Sequence, residues 1–377
     1  MEPASGELVI VALSGGVDSA VAALCLLRAG HRVEALHMTN WDDADPACTA
    51  RQDLADARAV AAELGITLHH VNFAPEYRDR VFSGFVDGYR AGLTPNPDVD
   101  CNRHIKFGVC LQHATRLGAR WLATGHYARV DHGPPPRLLT AVDAAKDQTY
   151  FLHAIEPAAL ARAVFPLGGL TKTEVRQLAV EAGLPVHAKR DSTGICFIGK
   201  RPFKEFLAGF VPEAPGDIVT PEGDVLGRHQ GLAYYTLGQR QGSGIGGQPG
   251  REGAWYVADK RAATNELVVV QGHDHPLLWA ARFSVAGLRW LHEPPAGAAL
   301  AVRTRHRQLP VPCTVAAATD GALQVTTRVP VFAPTPGQYA VFYAGDECLG
   351  GGVIASVTRG DGLPAGAPAA SGASSPA

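Results

Sequence analysis

The hydrophobic pattern of the N-terminal half alternates between short apolar runs and longer stretches with helical periodicity. Leu8–Leu13 predicts a buried strand, a glycine turn follows it, and Ala20–Arg28 predicts a helix that ends at Gly30. Further predicted strands and helices alternate at Val33–Met38, Asp53–Leu64, Leu68–Asn72, Trp121–Thr124 and Lys172–Ala182. Strands that alternate with helices form parallel sheets, so we predict an α/β fold with a doubly wound parallel sheet.

The pattern changes beyond Lys200, where short strand-like runs are separated by glycine and proline. The predicted strands of this half include Leu267–Gln271, Leu300–Arg307, Leu323–Val329 and Gln338–Tyr343. We therefore divide the chain into an N-terminal α/β domain (1–206), a small β-rich central domain (207–275) and a C-terminal β-barrel (276–358). Residues 359–377 are mostly Gly, Ala, Pro and Ser, and we expect a disordered tail there.

Composition narrows the class of protein. The 377 residues exceed the size at which one core keeps growing, which supports several domains. No run approaches the roughly 18 apolar residues of a membrane-spanning helix, and Met1–Glu7 lacks the features of a secretory signal. We therefore expect a cytoplasmic protein without structural disulfides. The net charge of −2 indicates no general affinity for nucleic acid, so RNA binding would need a local basic patch.

The turn between the first predicted strand and helix reads Ser14-Gly15-Gly16-Val17-Asp18-Ser19. Backbone N–H groups of small residues and the following helix N-terminus favour a bound phosphate. The turn has neither the lysine of a Walker loop nor the spacing of a dinucleotide-binding motif. Asp18 would repel phosphate unless a divalent cation lay between them, which indicates Mg²⁺. From the loop alone, a tight turn with acidic first-turn residues is the alternative.

Seven cysteines without a C-x-x-C pair argue against zinc fingers and thioredoxin-type motifs. Cys101 and Cys196 lie in turn-rich segments, where we predict accessible loops. Nearby cations could lower the thiol pKa toward the reactive thiolate, namely Arg103, Lys106, Lys189 and Lys200. Two incidental cysteines would explain the pattern equally well. We interpret the remaining cysteines as packing residues, namely Cys25, Cys48, Cys110, Cys313 and Cys348.

Five further motifs occur in order along the chain. They are NPD-x-x-CN-x-x-IKFG (96–108), TGHYAR (124–129), KDQTYFL (146–152), DSTGICFIG (191–199) and YTLGQRQGSGIGG (235–247). SGGVDS is the signature of the PP-loop, or N-type ATP pyrophosphatase, family. Together the motifs resemble the MnmA family of tRNA-specific 2-thiouridylases over nearly all of residues 8–357. His104 and Ser243 depart from the family pattern, and neither position touches the sulfur chemistry.

The resemblance implies a two-step reaction on the anticodon stem-loop of tRNA. With Mg²⁺ and ATP, the C2 oxygen of the wobble uridine (position 34) would be adenylated, with release of pyrophosphate. Sulfur would then replace AMP to give 2-thiouridine. It would come from a persulfide donor, either a cysteine desulfurase or a sulfur-relay protein, and a reductant would reopen a Cys101–Cys196 disulfide. An iron–sulfur cluster held by Asp98, Cys101 and Cys196 is a variant that the sequence leaves open.

The resemblance also implies roles for individual residues. Cys196 would carry the persulfide, Cys101 would be the partner nucleophile, and Asp98 is a candidate general acid or base. The expected ATP site comprises Ala12, Leu13, Ser14, Gly15, Gly16, Val17, Asp18, Ser19, Met38 and Gly125, with Asp18 meeting metal only through Mg²⁺–ATP. The target base would meet Asn96, Pro97 and Asp98. The expected tRNA contacts are His126, Lys146, Asp147, Gln148, Arg305, His306 and Gln338, and a strand at Arg303–Arg307 would supply the basic patch.

Two other classes of function compete with this interpretation. A PP-loop ligase or amidotransferase acting on a small molecule would use the same loop, and its activity would be indifferent to Cys196. A tRNA-binding module with a degenerate loop would have no activity, although the intact Asp18 and Ser19 argue against it.

Overall fold

The computed structural model describes residues 3–41, 50–191, 202–240, 242, 245, 253–294, 297–318 and 321–359. Cys48, Cys196 and Lys200, most of 241–252 and the predicted tail from Gly360 lie outside these residues. Three β-sheets organise the described part of the chain, with five, four and eight strands. In that part, no helix has the length and apolar character needed to cross a membrane.

The N-terminal sheet is parallel at every pairing. The strands of this domain are β1 (Leu8–Ala12), β2 (Arg32–Thr39), β3 (Leu68–Asn72), β4 (Trp121–Ala123), β5 (Arg129–Asp131), β6 (Arg137–Leu139) and β7 (Ala163–Val164). The sheet has the order β3-β2-β1-β4-β7, and β5 and β6 form a separate hairpin. This order confirms the predicted doubly wound α/β fold.

α-Helices connect the strands of this sheet and continue beyond them in the chain. They are α1 (Val17–Arg28), α2 (Ala50–Glu63), α3 (Ala74–Tyr77), α4 (Ser83–Arg90), α5 (Pro97–Asp100), α6 (Leu111–Arg116), α7 (Thr149–Leu152), α8 (Pro157–Leu160), α9 (Lys172–Glu181) and α10 (Phe203–Ala208). π-Helical segments at Arg78–Phe82 and Cys101–Cys110 join α3 to α4 and α5 to α6. Each pair is therefore one continuous helix.

The core lies on both sides of β1. Val9, Ile10 and Val11 are fully buried, which explains why this strand is apolar throughout rather than alternating. Ile10 packs in the same cluster as Leu36, while Val9 and Val11 pack on the other face with Trp121. The sheet thus holds the turn after β1 on a rigid, buried support.

The two C-terminal domains are β-rich, as predicted. The central sheet contains β8 (Gly216–Val219), β9 (Val225–His229), β10 (Trp255–Arg261) and β11 (Glu266–Gln271), in the order β10-β11-β8-β9. The barrel contains β12 (Trp279–Trp290), β13 (Leu300–Arg303), β14 (Val311–Ala317), β15 (Leu323–Phe332), β16 (Tyr339–Ala344) and β17 (Glu347–Thr358). It closes because β12 pairs with both β15 and β17. Short 3₁₀ helices lie at Leu232–Tyr234 and Pro276–Leu278.

The β5–β6 hairpin of the N-terminal domain extends the sheet of the barrel. Leu138 and Leu139 on β6 pair with Cys348 and Glu347 on β17. The N-terminal domain and the barrel therefore share one continuous sheet. No periodicity in the sequence marks this pairing, because β6 is only three residues long.

The predicted strand Leu300–Arg307 is wrong beyond Arg303. The backbone N–H and the hydroxyl of Thr304 both donate to Gln308 Oε1 at 2.9 Å, and Arg307 has a φ of 68°, so the chain turns. Arg303 is only 8% exposed and points into the protein. The expected basic surface strand is therefore not formed, because its first arginine is used in a buried ion pair.

That ion pair joins the barrel to the N-terminal domain through Asp147, which is 2% exposed. Asp147 Oδ1 accepts hydrogen bonds from Arg303 Nη1 (2.7 Å) and from the Thr149 hydroxyl (2.6 Å), and Oδ2 accepts one from the Ala141 N–H (2.9 Å). The carbonyl oxygen of Asp147 lies 3.0 Å from His306 Nε2. Both carboxylate oxygens thus have partners, which compensates the cost of burying the charge.

We predict that Asp147→Asn destabilises the protein by about 3–5 kcal/mol, because it leaves the buried guanidinium of Arg303 without a countercharge. Thermal unfolding of the two proteins measures the difference. The matched control is Asp346→Ala, which removes an ion pair of 2.8 Å with Arg129 across the same junction. Those side chains are 60% and 39% exposed, so we expect a loss of at most about 1 kcal/mol. Equal losses of stability in the two variants would contradict a dominant role of the buried Asp147–Arg303 ion pair.

Candidate active site

The loop between β1 and α1 lies at the carboxyl edge of the parallel sheet, where such sheets bind ligands. Its serines hold it in shape: the Ser14 N–H donates to Ser19 Oγ (3.1 Å), and the Ser19 hydroxyl donates to the Gly16 carbonyl (3.0 Å). Gly15 has a φ of 79°, and a Cβ there would lie 2.3 Å from the Asp53 carbonyl oxygen. The loop is therefore packed directly against α2, and only glycine fits at position 15.

Two lysines reach this loop from distant parts of the chain. Lys172, the first residue of α9, donates to Asp18 Oδ1 at 2.7 Å and lies 154 residues further along. Lys189 donates to the Gly15 carbonyl at 3.0 Å and also pairs with Asp53. Asp18 therefore has a lysine as its countercharge within the protein, and the expected Mg²⁺ stays a prediction. No motif near either lysine predicts its contact with the loop.

Asp191 fixes the cations beside the loop. It accepts from Lys172 (2.7 Å), Lys146 (3.0 Å) and Arg176 (2.5 Å). Burial opposes its ionisation, but hydrogen bonds from Lys172 and Lys146 outweigh burial and lower the pKa of Asp191 to about 2. Lys172 is thus shared between Asp191 and Asp18, and these two contacts hold its ammonium group beside the loop.

Gly125, just after β4, packs on the first turn of α1. A Cβ at this position would lie 2.7 Å from both the Asp18 carbonyl carbon and the Ser19 nitrogen. Half-buried Met38 lies on β2, the other neighbour of β1 in the sheet. The structure therefore brings the expected ATP residues to one edge of the sheet, although their contacts with ATP stay a prediction.

The Asn96-Pro97-Asp98 sequence starts a helix. Asn96 Oδ1 accepts from the Asp98 N–H at 3.2 Å, Pro97 occupies the first helical position, and the helix continues through Cys101. Cys101 is 4% exposed, so the predicted accessible loop is wrong. Asn, Pro and Asp indicated a turn, but an Asn cap followed by Pro is also the sequence signal of a helix N-terminus. That signal would have placed Cys101 correctly.

Lys106 on this helix contacts His126, and its positive charge also acts on Asp98. Its Nζ lies 3.3 Å from His126 Nε2, and His126 Nδ1 lies 2.7 Å from Thr124 Oγ1. Because an ammonium group only donates, Nε2 accepts and Nδ1 carries the hydrogen. Burial and, to a lesser degree, Lys106 lower the pKa of His126 well below its usual value, so the ring is neutral.

Asp98 has a raised pKa, which is a property of carboxyl groups that transfer protons. Burial raises its pKa, and the positive charge of Lys106 opposes this shift only in part. A carboxyl group whose pKa is raised accepts and releases a proton more readily near neutral pH. The structure therefore supports the choice of Asp98 as the candidate acid or base, while its role in a reaction stays a prediction.

The residues after β4 connect the two parts of the site. Gly125 contacts the backbone of Asp18 and Ser19, and the next residue, His126, contacts Lys106 on the helix that carries Asp98 and Cys101. The phosphate loop and the helix that carries Cys101 therefore both contact the residues that follow β4. Among the described residues, no group of three His, Cys, Asp or Glu side chains could hold a metal ion. Cys196, which would hold an iron–sulfur cluster together with Asp98 and Cys101, lies outside the described residues.

The other described cysteines have the environment of packing residues. Cys110 and Cys348 are at most 1% exposed, and burial raises the pKa of both thiols to about 12. Burial also raises the pKa of half-buried Cys25, and that of Cys313 to about 12. Thiols with raised pKa values are poor nucleophiles, in agreement with the interpretation from the sequence.

Several residues expected to contact tRNA make hydrogen bonds within the protein. Arg305 Nη2 donates to the carbonyls of Leu237 and Ala333, at 2.7 and 2.9 Å. His306 lies against the Asp147 carbonyl, while Gln148 Oε1 accepts from the Tyr127 N–H at 2.9 Å. The carboxylate of Asp147 is used entirely within the protein, as described above. Contacts of these residues with tRNA stay a prediction.

Three family models match the chain in succession. Residues 7–200 match a tRNA methyl transferase HUP domain, 204–271 a tRNA methyl transferase PRC-barrel domain and 281–354 an aminomethyltransferase β-barrel domain. The matched ranges follow the order of the three sheets. The parallel sheet, the SGGVDS loop and the first of these matches define the class of protein as an ATP-using PP-loop enzyme.

Full-length relatives identify the family. The tRNA-specific 2-thiouridylase MnmA of Cupriavidus metallidurans is 54% identical over 357 residues, covering 93% of this chain and 99% of that protein. The proteins of the same name from Ralstonia nicotianae and Alcanivorax borkumensis are each 53% identical, covering 93% and 92% of this chain and 97% and 96% of their own. The chain belongs to the MnmA family of tRNA-specific 2-thiouridylases. This confirms the resemblance drawn from the motifs.

We predict that Gly125→Ala weakens ATP binding several-fold or more, because its Cβ would displace the first turn of α1 at a cost of about 1–3 kcal/mol. Calorimetric titration with ATP measures the dissociation constant. Gly169→Ala is the control, since nothing lies within 4 Å of a Cβ at that exposed position of the same domain. Unchanged affinity in Gly125→Ala would show that the strand end does not support the loop.

We predict that Asp98→Asn stabilises the fold at neutral pH. Because burial raises the Asp98 pKa, the native state binds this proton more tightly than the unfolded chain. Ionisation above the raised pKa therefore costs stability, and Asn removes that cost. In thermal unfolding, the advantage over wild type should shrink as the pH falls through the raised native-state pKa and should vanish below the unfolded-state pKa. Asp87→Asn, at an exposed carboxyl, is the control. Lower stability of Asp98→Asn at neutral pH would contradict this account.

Proposed function

We propose that the protein is a tRNA-uridine 2-sulfurtransferase that activates the C2 oxygen of the wobble uridine with ATP and replaces it with sulfur. The strand end at Gly125 and His126 is the observation that supports this most strongly, because it joins the phosphate loop to the helix with Asp98 and Cys101. Adenylation takes place on the C2 oxygen and sulfur transfer on C2 itself, so the groups for both steps must lie side by side. Membership of the MnmA family supports the same substrate, tRNA.

The first step makes the C2 oxygen a leaving group. The oxygen attacks the α-phosphorus of ATP, the bond to the β-phosphate oxygen breaks, and pyrophosphate departs. Lys172 and Lys189 are held beside the loop, where they would balance the negative charge of the pyrophosphate. The N-terminus of α1 adds backbone N–H donors on the same side.

Magnesium enters this proposal as part of the substrate Mg²⁺–ATP. Asp18 is the carboxylate within the loop, and its pairing with Lys172 fits an ion that arrives bound to phosphate rather than one held by protein alone. The metal would add positive charge at the departing pyrophosphate. Asp18 would meet it only once the nucleotide is bound.

The helix start at Asn96–Asp98 would receive the uridine. The base must leave the anticodon stack, which costs on the order of a few kcal/mol and less in a single-stranded loop. Adenylation at C2 removes the proton on N3 of the ring, and Asp98 would accept this proton and return it after sulfur has entered. The raised pKa of Asp98 suits both transfers.

The second step exchanges AMP for sulfur. The terminal sulfur of a Cys196 persulfide attacks C2, and AMP leaves with the original oxygen. The Cys101 thiolate then attacks the Cys196 sulfur, which frees the transferred sulfur on the uridine and forms a Cys101–Cys196 disulfide. Two electrons from a thiol reductant reopen the disulfide, and a persulfide-carrying protein reloads Cys196. Alternatively, Cys101 attacks first and releases hydrosulfide as the nucleophile.

We predict that Cys196→Ser and Cys101→Ser each abolish 2-thiouridine formation, because either change removes one sulfur of the exchange. Mass spectrometry of nucleosides from tRNA treated with protein, ATP and a persulfide donor measures the product. Cys313→Ser, in the barrel, should retain activity. Wild-type levels of 2-thiouridine with Cys196→Ser would overturn the persulfide route, and tRNA-independent AMP formation on a small molecule would favour a ligase.

A further inference from the structure

The barrel loop between β15 and β16 is hydrogen-bonded to the segment just before the helix that starts at Asn96–Asp98. The Thr94 N–H donates to the Pro336 carbonyl at 3.1 Å, and Gln338 Nε2 donates to the Thr94 carbonyl at 2.7 Å. Both backbone polar groups of Thr94, two residues before the helix cap, are therefore satisfied by the barrel. Thr94 itself is 5% exposed.

Gly337 brings the two backbones into direct contact. It has a φ of 92°, and a Cβ there would lie 2.7 Å from the Thr94 nitrogen and 2.8 Å from Leu93 Cβ. The loop is itself fixed to β17, since the Gly337 N–H donates to the Ile354 carbonyl (3.0 Å) and the Ile354 N–H to the Gln338 carbonyl (2.8 Å). The barrel thus presents a rigid surface to the segment before Asn96.

Tyr339 extends the same contact to the residue before Cys101. Its hydroxyl donates to Asp100 Oδ1 at 3.4 Å, and its carbonyl accepts from the Tyr150 hydroxyl at 3.0 Å. Its ring packs on His153 with a centroid distance of 4.9 Å. The helix start that carries Asp98 is therefore held by the barrel on both sides, at Thr94 and at Asp100.

We propose that residues 336–339, here named the barrel clamp, position the uridine-contacting helix start for catalysis, and that Gly337 and Gln338 are positioning residues of the reaction. This inference rests on the proposed function for the identity of the base. Gln338 was expected to bind tRNA, yet its side-chain amide donates to Thr94 within the protein. A displacement of about 1 Å at a reacting group can lower a rate on the order of 100-fold, so the clamp has a kinetic effect without touching substrate.

The test compares Gly337→Ala and Gln338→Ala in steady-state thiolation of tRNA. The clamp predicts that kcat falls roughly 10- to 100-fold in both variants, while KM for tRNA and Kd for ATP stay within about threefold of wild type. Gly321→Ala is the matched control in the barrel, because Gly321 has a φ of 78° and nothing within 4 Å of an added Cβ. It should retain the wild-type kcat. Thermal unfolding confirms that each variant is folded at the assay temperature.

The opposite pattern would overturn the clamp. If Gln338→Ala raises KM for tRNA without lowering kcat, Gln338 is a substrate ligand. If both variants keep the wild-type kcat, the contact is structural only. Gln338→Ala carries the test alone if Gly337→Ala fails to fold. Thiolation by the wild-type protein in the same assay separates a failure of the clamp from a failure of the proposed function.

Discussion

The structure depends on one buried carboxylate, that of Asp147, because contacts of Asp147 and of its chain neighbours join the barrel to the phosphate loop. Its ion pair with Arg303 fixes the barrel, and its chain neighbours reach the loop from both sides. Lys146 pairs with Asp191, and Gln148 accepts from the backbone of Tyr127, whose hydroxyl donates to Asp18 at 3.0 Å. A buried ion pair is weak evidence for added stability but well suited to fixing one geometry. A displacement of Asp147 would therefore also displace Lys146, beside Asp191, and Gln148, beside Tyr127.

The cations of the site come from separate elements. A Walker loop carries its lysine within the motif, whereas here Lys172 begins α9 and Lys189 follows it. Each lysine is paired with a carboxylate of the same domain. This arrangement makes the charge at the loop depend on the folding of the whole domain.

Local patterns predicted most of the fold, and long-range contacts explain what they missed. The parallel strands, the first helices and the closed barrel were predicted because each has its own periodicity or turn residues. The β6–β17 pairing and Lys172 could not be predicted, since nothing near them in the chain signals the partner. Cys101 was misplaced although its helix start was visible in Asn96 and Pro97. Arg303 resembled a surface charge because sequence does not show that Asp147 lies opposite.

In the proposed reaction, ATP turns the C2 oxygen of uridine into a leaving group on AMP. The decisive experiment uses tRNA that carries oxygen-18 at C2 of the wobble uridine, incubated with the enzyme, ATP and a persulfide donor. Mass spectrometry of the products follows the label. We expect oxygen-18 in AMP, in proportion to the 2-thiouridine that forms. Oxygen-18 in water or in phosphate, with unlabelled AMP, would contradict the proposed reaction.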